Sequence, residues 1–443
     1  MLTGPFLLLS LLTAVLAVPE LKLGRTTLSG RDVSPRVEFY GIPFAEPPVG
    51  ARRLRPTVLK TRLNAGRFDA SRYGMGCVQP LADPSTLSED CLTINIHRPK
   101  GLKSSAKLPV LFWTYGGAFV LGSSNTYNGS EIVERSVARG TPLIFVNFNY
   151  RLGPLGFPQG READDQRALN LGVLDQMAAL EWVQENIGSF GGDKKKVTIF
   201  GESAGSMMTG LLYMQPELEH WARGALLTVV QEVFIPIFSS RLYAKGQFAR
   251  IPFIAGTNLD EGTFFSSRES LSNQALKDSL LALSSPRSGS QDALSAALDQ
   301  VLMLYPEDPS VGSPYGTGDE LFGFPPSYKR QSSIIVHGSE IQFVFGQIPP
   351  TSPDSLPPYL PPYGSADEAA RNISTVMMDY WISFAVTLNP NDGKGIQRPH
   401  WPQYTPAKKV LMQLRGGNTT VIQDDYRKEG IAFLHANAAV LQH

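Results

Sequence analysis

KVTIFGESAGSMMTGLLYM, residues 196–214, passes from an extended to a helical pattern within a few residues. Val197, Thr198, Ile199 and Phe200 are β-branched or aromatic and predict a short strand, whereas the run after Ser203 suits a helix. Gly201 and Gly205 flank Ser203, so the chain can turn tightly between the two elements. Working outward, LPVLFWTY (108–115) and LIFVNFNY (143–150) are almost continuous apolar runs, the pattern of central strands covered on both faces. Between Gln166 and Ile187, apolar residues at Leu169, Val173, Met177, Leu180 and Ile187 fall on one face of a helix, which Gly191-Gly192 ends. A strand over Ile251–Ala255, a helix over Thr375–Leu388, a strand over Lys408–Leu414 and a last helix over Tyr426–Val440 follow. Strands alternating with helices predict an α/β fold with a central, mostly parallel sheet flanked by helices. The Pro-rich stretch Pro349–Pro362 reads as an extended surface segment, and no repeat or second domain is evident.

The 443 residues carry 40 Lys plus Arg and 40 Asp plus Glu, a formal net charge of zero. No basic excess exists to neutralise a phosphate backbone, so nucleic acid is not an expected partner. Charged residues make up 18% and hydrophobic ones 42%, which predicts a large packed core.

Phe6–Ala17 (FLLLSLLTAVLA) is an apolar run too short to span a bilayer and ends in small residues. It reads as a secretory signal peptide, residues 1–17, cleaved after Ala17. No later stretch reaches 18 uninterrupted apolar residues, so a secreted, extracellular protein without stable membrane insertion is expected. In an oxidising compartment the two cysteines, Cys77 and Cys91, predict one disulfide, a closure worth about 3 kcal/mol on a chain-entropy estimate. Asn128, Asn372 and Asn418 head Asn-x-Ser/Thr sequons and are candidate glycosylation sites. No metal site is expected, because neither a CxxC spacing nor a histidine pair accompanies the cysteines.

Gly-x-Ser-x-Gly between a strand and a helix puts a serine on a strained, exposed turn. A serine hydroxyl is a poor nucleophile until a histidine takes its proton, and that histidine needs a carboxylate to hold it. In folds that use this turn the chain order is serine, acid, histidine, which removes His97. Of the rest, His220 follows the turn too closely, His400 lies in a Pro-rich loop, His435 is on the last helix and His443 is the terminus. His337, between IIV and a glycine, is the expected base. Asp260-Glu261-Gly262, following the strand IPFIAGTN, offers the acid.

The chain resembles the type-B carboxylesterases and lipases of the α/β-hydrolase superfamily, which include cholinesterases and fungal lipases. The matching stretches run from YGIPFAEPPVG (40–50) through SEDCLTINI (88–96), YGGAF (115–119), NYRLGPLGF (149–157), GESAGS, AGTNLDEGTFF and VHGSEIQFVFG to WISFAVTLNPN. The extracellular fungal branch is the most similar. The resemblance implies a single α/β-hydrolase domain over residues 18–443. It also implies Ser203 as nucleophile, Glu261 as acid and His337 as base, without cofactor or metal. Oxyanion donors would be the backbone N–H groups of Gly117, Ala118 and Ala204. Ala118 stands where many relatives have a third glycine, an exchange expected to be harmless if its φ stays negative. Cys77 and Cys91 match the disulfide of the family's first surface loop. That loop is short here, which favours small or medium ester substrates over lid-gated lipids.

Two intervals are shorter than in the relatives: 58 residues from Ser203 to Glu261 and 76 from Glu261 to His337. Two family segments are missing, one after Leu227 and one between Gln331 and Val336, where only SSIIV precedes the histidine. A missing core strand is expected to disturb His337. An inactive truncated form, or a non-catalytic binding protein on the same fold, therefore stands beside the expected ester hydrolase.

Overall fold

The computed structural model describes residues 18–33, 35–215, 217–228, 246–258, 261, 272–283, 291–306, 337–347, 368–425 and 427–441. The expected signal peptide, the Pro-rich stretch and the shortened segment before His337 lie outside these residues.

Eight strands form the main sheet: β1 (Arg31–Val33), β2 (Arg36–Pro43), β3 (Thr93–Pro99), β4 (Leu108–Thr114), β5 (Ile144–Phe148), β6 (Gly192–Glu202), β7 (Gly224–Thr228) and β8 (Phe253–Gly256). Their spatial order is β1-β2-β3-β5-β4-β6-β7-β8. β5, β4, β6, β7 and β8 are parallel, and β1 to β3 complete the sheet antiparallel. β4 and β5 have the predicted place at its centre, with Val110, Leu111, Phe112, Ile144, Phe145 and Val146 all fully buried. Such runs have apolar residues on both faces because helices cover both faces. β6 is longer than predicted and carries Ser203 just beyond its end, with Ile199 facing Phe112 of β4 and Ala225 of β7 across the ladder. Among the described residues β8 is the outer strand, and Phe253 on it is 60% exposed.

The helices that position the site are α1 (Ser130–Ala138), α2 (Leu171–Asn186), α3 (Ala204–Leu212), α4 (Glu340–Val344) and α5 (Glu368–Thr387). α2 begins later than predicted because Asn170, at φ +56°, breaks it from a short helix over Arg161–Asp165. It is buried on more than the predicted stripe: Asp175 and Gln176 are fully enclosed, Asp175 by the guanidinium of Arg151. The predicted strand near 408–414 forms as Val410–Gln413 but pairs only with Thr420–Gln423, in a hairpin outside the main sheet. Helices over Asn273–Leu283, Gln291–Leu304 and Lys428–Ala436 build a small apolar cluster of their own around Leu294 and Leu298. Among the described residues no helix is long and apolar enough to cross a membrane. Cys77 and Cys91 form the expected disulfide.

α5 is fixed to α1 by buried charge. Asp379 is fully buried and accepts two bonds from Arg135, at 2.8 and 2.6 Å, while Arg139 and Arg398 approach it as well. Arg139 and Arg398 both reach Asp392, and the Asp379 carboxylate also takes the Ile396 N–H. Removing one partner from a buried ionic group leaves uncompensated charge. Asp379→Ala should therefore destabilise the fold by about 3 to 5 kcal/mol, read as a fall in the urea midpoint. An unchanged midpoint would show that the arginines find water instead.

Candidate active site

Ser203 occupies the turn between β6 and α3 with φ +54° and ψ −128°, a conformation non-glycine residues rarely adopt. The glycines around it are required by close packing. A Cβ on Gly205 would lie 2.1 Å from the Thr114 carbonyl oxygen at the end of β4, and one on Gly201 would lie 2.6 Å from Gly205 itself. On the other side, a Cβ on Gly116 would meet the Ser203 Cβ at 2.8 Å. Ser203 is thus held between two backbones, with α3 starting at Ala204 and directing its N-terminal dipole toward it.

Three separate segments meet at this serine. His337 Nε2 lies 2.8 Å from Ser203 Oγ, and His337 Nδ1 lies 2.7 Å from Glu261 Oε2. Ser203 and His337 are buried, and Glu261 is half-buried. Glu261 Oε1 accepts the Asn258 N–H at 2.7 Å, and the Asn258 side-chain amide donates to Glu340. Glu340 starts α4, three residues after His337, so Asn258 joins the acid segment to the histidine segment. α4 is in turn bound to α5, where Ser374 Oγ donates to the Phe343 carbonyl at 2.7 Å. The expectation that a shortened segment displaces His337 is not met among the described residues.

The other histidines lie elsewhere. His220, His400 and His435 are exposed, His97 is buried in β3 beside Glu38, and His443 is outside the described residues, as are Asp260 and Gly262.

In the segment after β4 the condition of a negative φ is not met: Ala118 has φ +53°, and Phe119 follows at +63°. The reason is a sharp turn in which Val120 and Leu121 both donate to the Gly117 carbonyl. A methyl group is the smallest side chain that can occupy such a position, at about 1 to 2 kcal/mol.

Two carboxyls that motif reading passed over line the same site. Glu202 Oε1 is 3.2 Å from His337 Nε2. Burial, and then the charges of Glu340 and Glu261, push the Glu202 carboxyl well above the usual carboxylate range. Burial also raises Glu340, to about 7, against the opposing hydrogen bond from Asn258. A glutamate directly before the candidate nucleophile, and another one helical turn beyond a candidate base, were the signals available in the sequence.

Comparisons with known proteins place the chain in a family. The model of the carboxylesterase family matches residues 18–228 and 318–434. A secreted triacylglycerol lipase of Gibberella zeae is 30% identical over 91% of this chain and 87% of its own. A fumonisin B1 esterase of Sphingopyxis macrogoltabida is 30% identical over 88% and 86%. Both alignments run over more positions than this chain has residues, 529 and 490, so each includes positions with no counterpart here. Among solved structures, Aspergillus niger EstA superposes with a TM-score of 0.77 at 23% identity, covering 96% of this chain and 99% of that one. The chain belongs to the carboxylesterase family, and carboxylic-ester hydrolysis is the activity that this membership assigns to it.

Two outcomes follow from the packing and the charges. Gly205→Ala should abolish the turn and with it soluble, ester-cleaving protein; a folded, active variant would show that β4 can retreat. Glu340 is protonated in the folded state up to about pH 7 but only to about 4.5 when unfolded. The native state therefore binds the extra proton, and this group's contribution to stability falls as pH rises through that window. In denaturant titrations at a series of pH values, Glu340→Gln should gain on the wild type between pH 5 and 7. A constant difference would contradict the shift.

Proposed function

We propose that this chain cleaves carboxylic esters by acyl transfer through Ser203, His337 and Glu261. The observation that carries the reading is the pair of contacts at 2.8 and 2.7 Å that joins serine, imidazole and carboxylate in one line. His337 Nε2 takes the Ser203 proton while the Nδ1–H donates to Glu261, and Oγ attacks the ester carbonyl. The tetrahedral oxyanion is received by the N–H groups of Gly117, Ala118 and Ala204. His337 returns its proton to the leaving alcohol. Water then enters by the same general-base route and releases the acid. Glu202, kept toward its neutral form, leaves Glu261 as the principal counter-charge of the imidazolium.

The short disulfide loop favours small or medium esters. Export is supported by the apolar run Phe6–Ala17, by the disulfide, and by relatives whose names call them secreted. Asn372 on α5 and Asn418 in the hairpin turn are exposed and suit glycosylation, whereas Asn128 is half-buried with its Oδ1 engaged by Ser130.

The gap in the family match between residues 228 and 318 favours one other reading, a folded chain without turnover. Hydrolysis of p-nitrophenyl esters separates the two. The wild type should turn over and Ser203→Ala should lose about 10³-fold or more in kcat. Absence of turnover in the wild type, or full turnover in Ser203→Ala, would overturn the proposal.

A further inference from the structure

The turn from Gly116 to Gly122 carries two of the three proposed oxyanion donors, yet it lies between elements and holds an unusual backbone. Gly117 and Gly122 sit at φ +110° and +114°, with Ala118 and Phe119 in the left-handed region between them. A turn so strained persists only when its surroundings over-determine it. From inside, the Gly117 carbonyl accepts from Val120 and Leu121. From the side, the Gly153 N–H donates to the Phe119 carbonyl at 2.7 Å. From the far end, a Cβ on Gly122 would strike the Tyr115 ring at 2.6 Å and the Gly116 carbonyl at 2.8 Å, so Gly122 folds back onto the start of the turn.

The remaining constraint comes from the disulfide loop. Gln79, two residues past Cys77, faces Gly122 with its side-chain amide: Nε2 donates to the Gly122 carbonyl at 2.9 Å and Oε1 accepts the Gly122 N–H at 2.8 Å. The same Nε2 donates to the Cys77 carbonyl at 3.1 Å, which fixes the orientation of the amide. The pairing copies a β-ladder with a side chain as one strand. It satisfies both backbone groups of a residue that no sheet or helix can serve.

We infer that Gln79 is a positioning residue for ester hydrolysis, holding the Gly116–Gly122 turn at the geometry in which Gly117 and Ala118 can receive the oxyanion. The inference rests on the proposed acyl-transfer reading. It predicts that losing the amide harms the transition state more than substrate binding, because a displacement of about 1 Å at an oxyanion donor costs about 10²-fold in rate.

The test compares wild type, Gln79→Leu and Gln79→Glu, each normalised by titration of active sites with a fluorophosphonate. Gln79→Leu keeps the bulk and loses both bonds, and should lower kcat about 10- to 100-fold with KM within about threefold. Its affinity for a trifluoromethyl ketone, whose hemiketal oxygen occupies the oxyanion position, should fall by a similar factor. Gln79→Glu can still accept from Gly122 but cannot donate to its carbonyl, and should lie between the two. It also supplies the test if Gln79→Leu does not fold. A purely structural role would lower the yield of active sites while leaving kcat and ketone affinity per site unchanged, and that result overturns the inference. A wild type without turnover removes the acyl-transfer reading and this inference with it. An active wild type with indifferent variants removes only the inference.

Discussion

The rest of the site depends on a steric constraint: the turn from β6 into α3 packs so closely that Gly205 lies against the end of β4 and Gly201 against Gly205, and neither can carry a side chain. Ser203 is then forced out of the regular backbone and its Oγ is presented at the carboxyl edge of the parallel strands. The cost of that conformation, about 1 to 3 kcal/mol, is borne by the surrounding sheet, where Val197, Ile199 and Phe200 are buried against β4 and β7.

What meets Ser203 is assembled from three loops with different anchors. The proposed oxyanion turn is attached to the disulfide loop through Gln79, the segment of Glu261 follows β8, and that of His337 continues into α4 and so onto α5. α5 is tied to α1 through Asp379 and its arginines. The Asn258 amide, donating to Glu340, joins the acid and histidine segments directly. The imidazole therefore depends on contacts far along the chain.

The elbow and the central strands were legible in the sequence because both rest on local rules: β-branched runs at a buried position and glycines where the chain must turn. The serine, acid and histidine could be proposed because chain order and neighbouring strands restrict the choices. The positive φ of Ala118 was not legible, because its sign is set by hydrogen bonds closing on Gly117, which no local pattern reveals. Glu202 and Glu340 were overlooked because a carboxyl's burial depends on which segments converge on it. Gln79 has no motif around it at all; its partner is 43 residues away and is a backbone group.

The most direct test of the account is covalent. A fluorophosphonate, which reacts with a serine only when a base and an oxyanion site are assembled around it, can be incubated with the whole chain and the modified peptide mapped by mass spectrometry. The account predicts stoichiometric labelling at Ser203 that disappears in His337→Ala. A soluble, folded chain that stays unlabelled, or labelling that persists without His337, would contradict it.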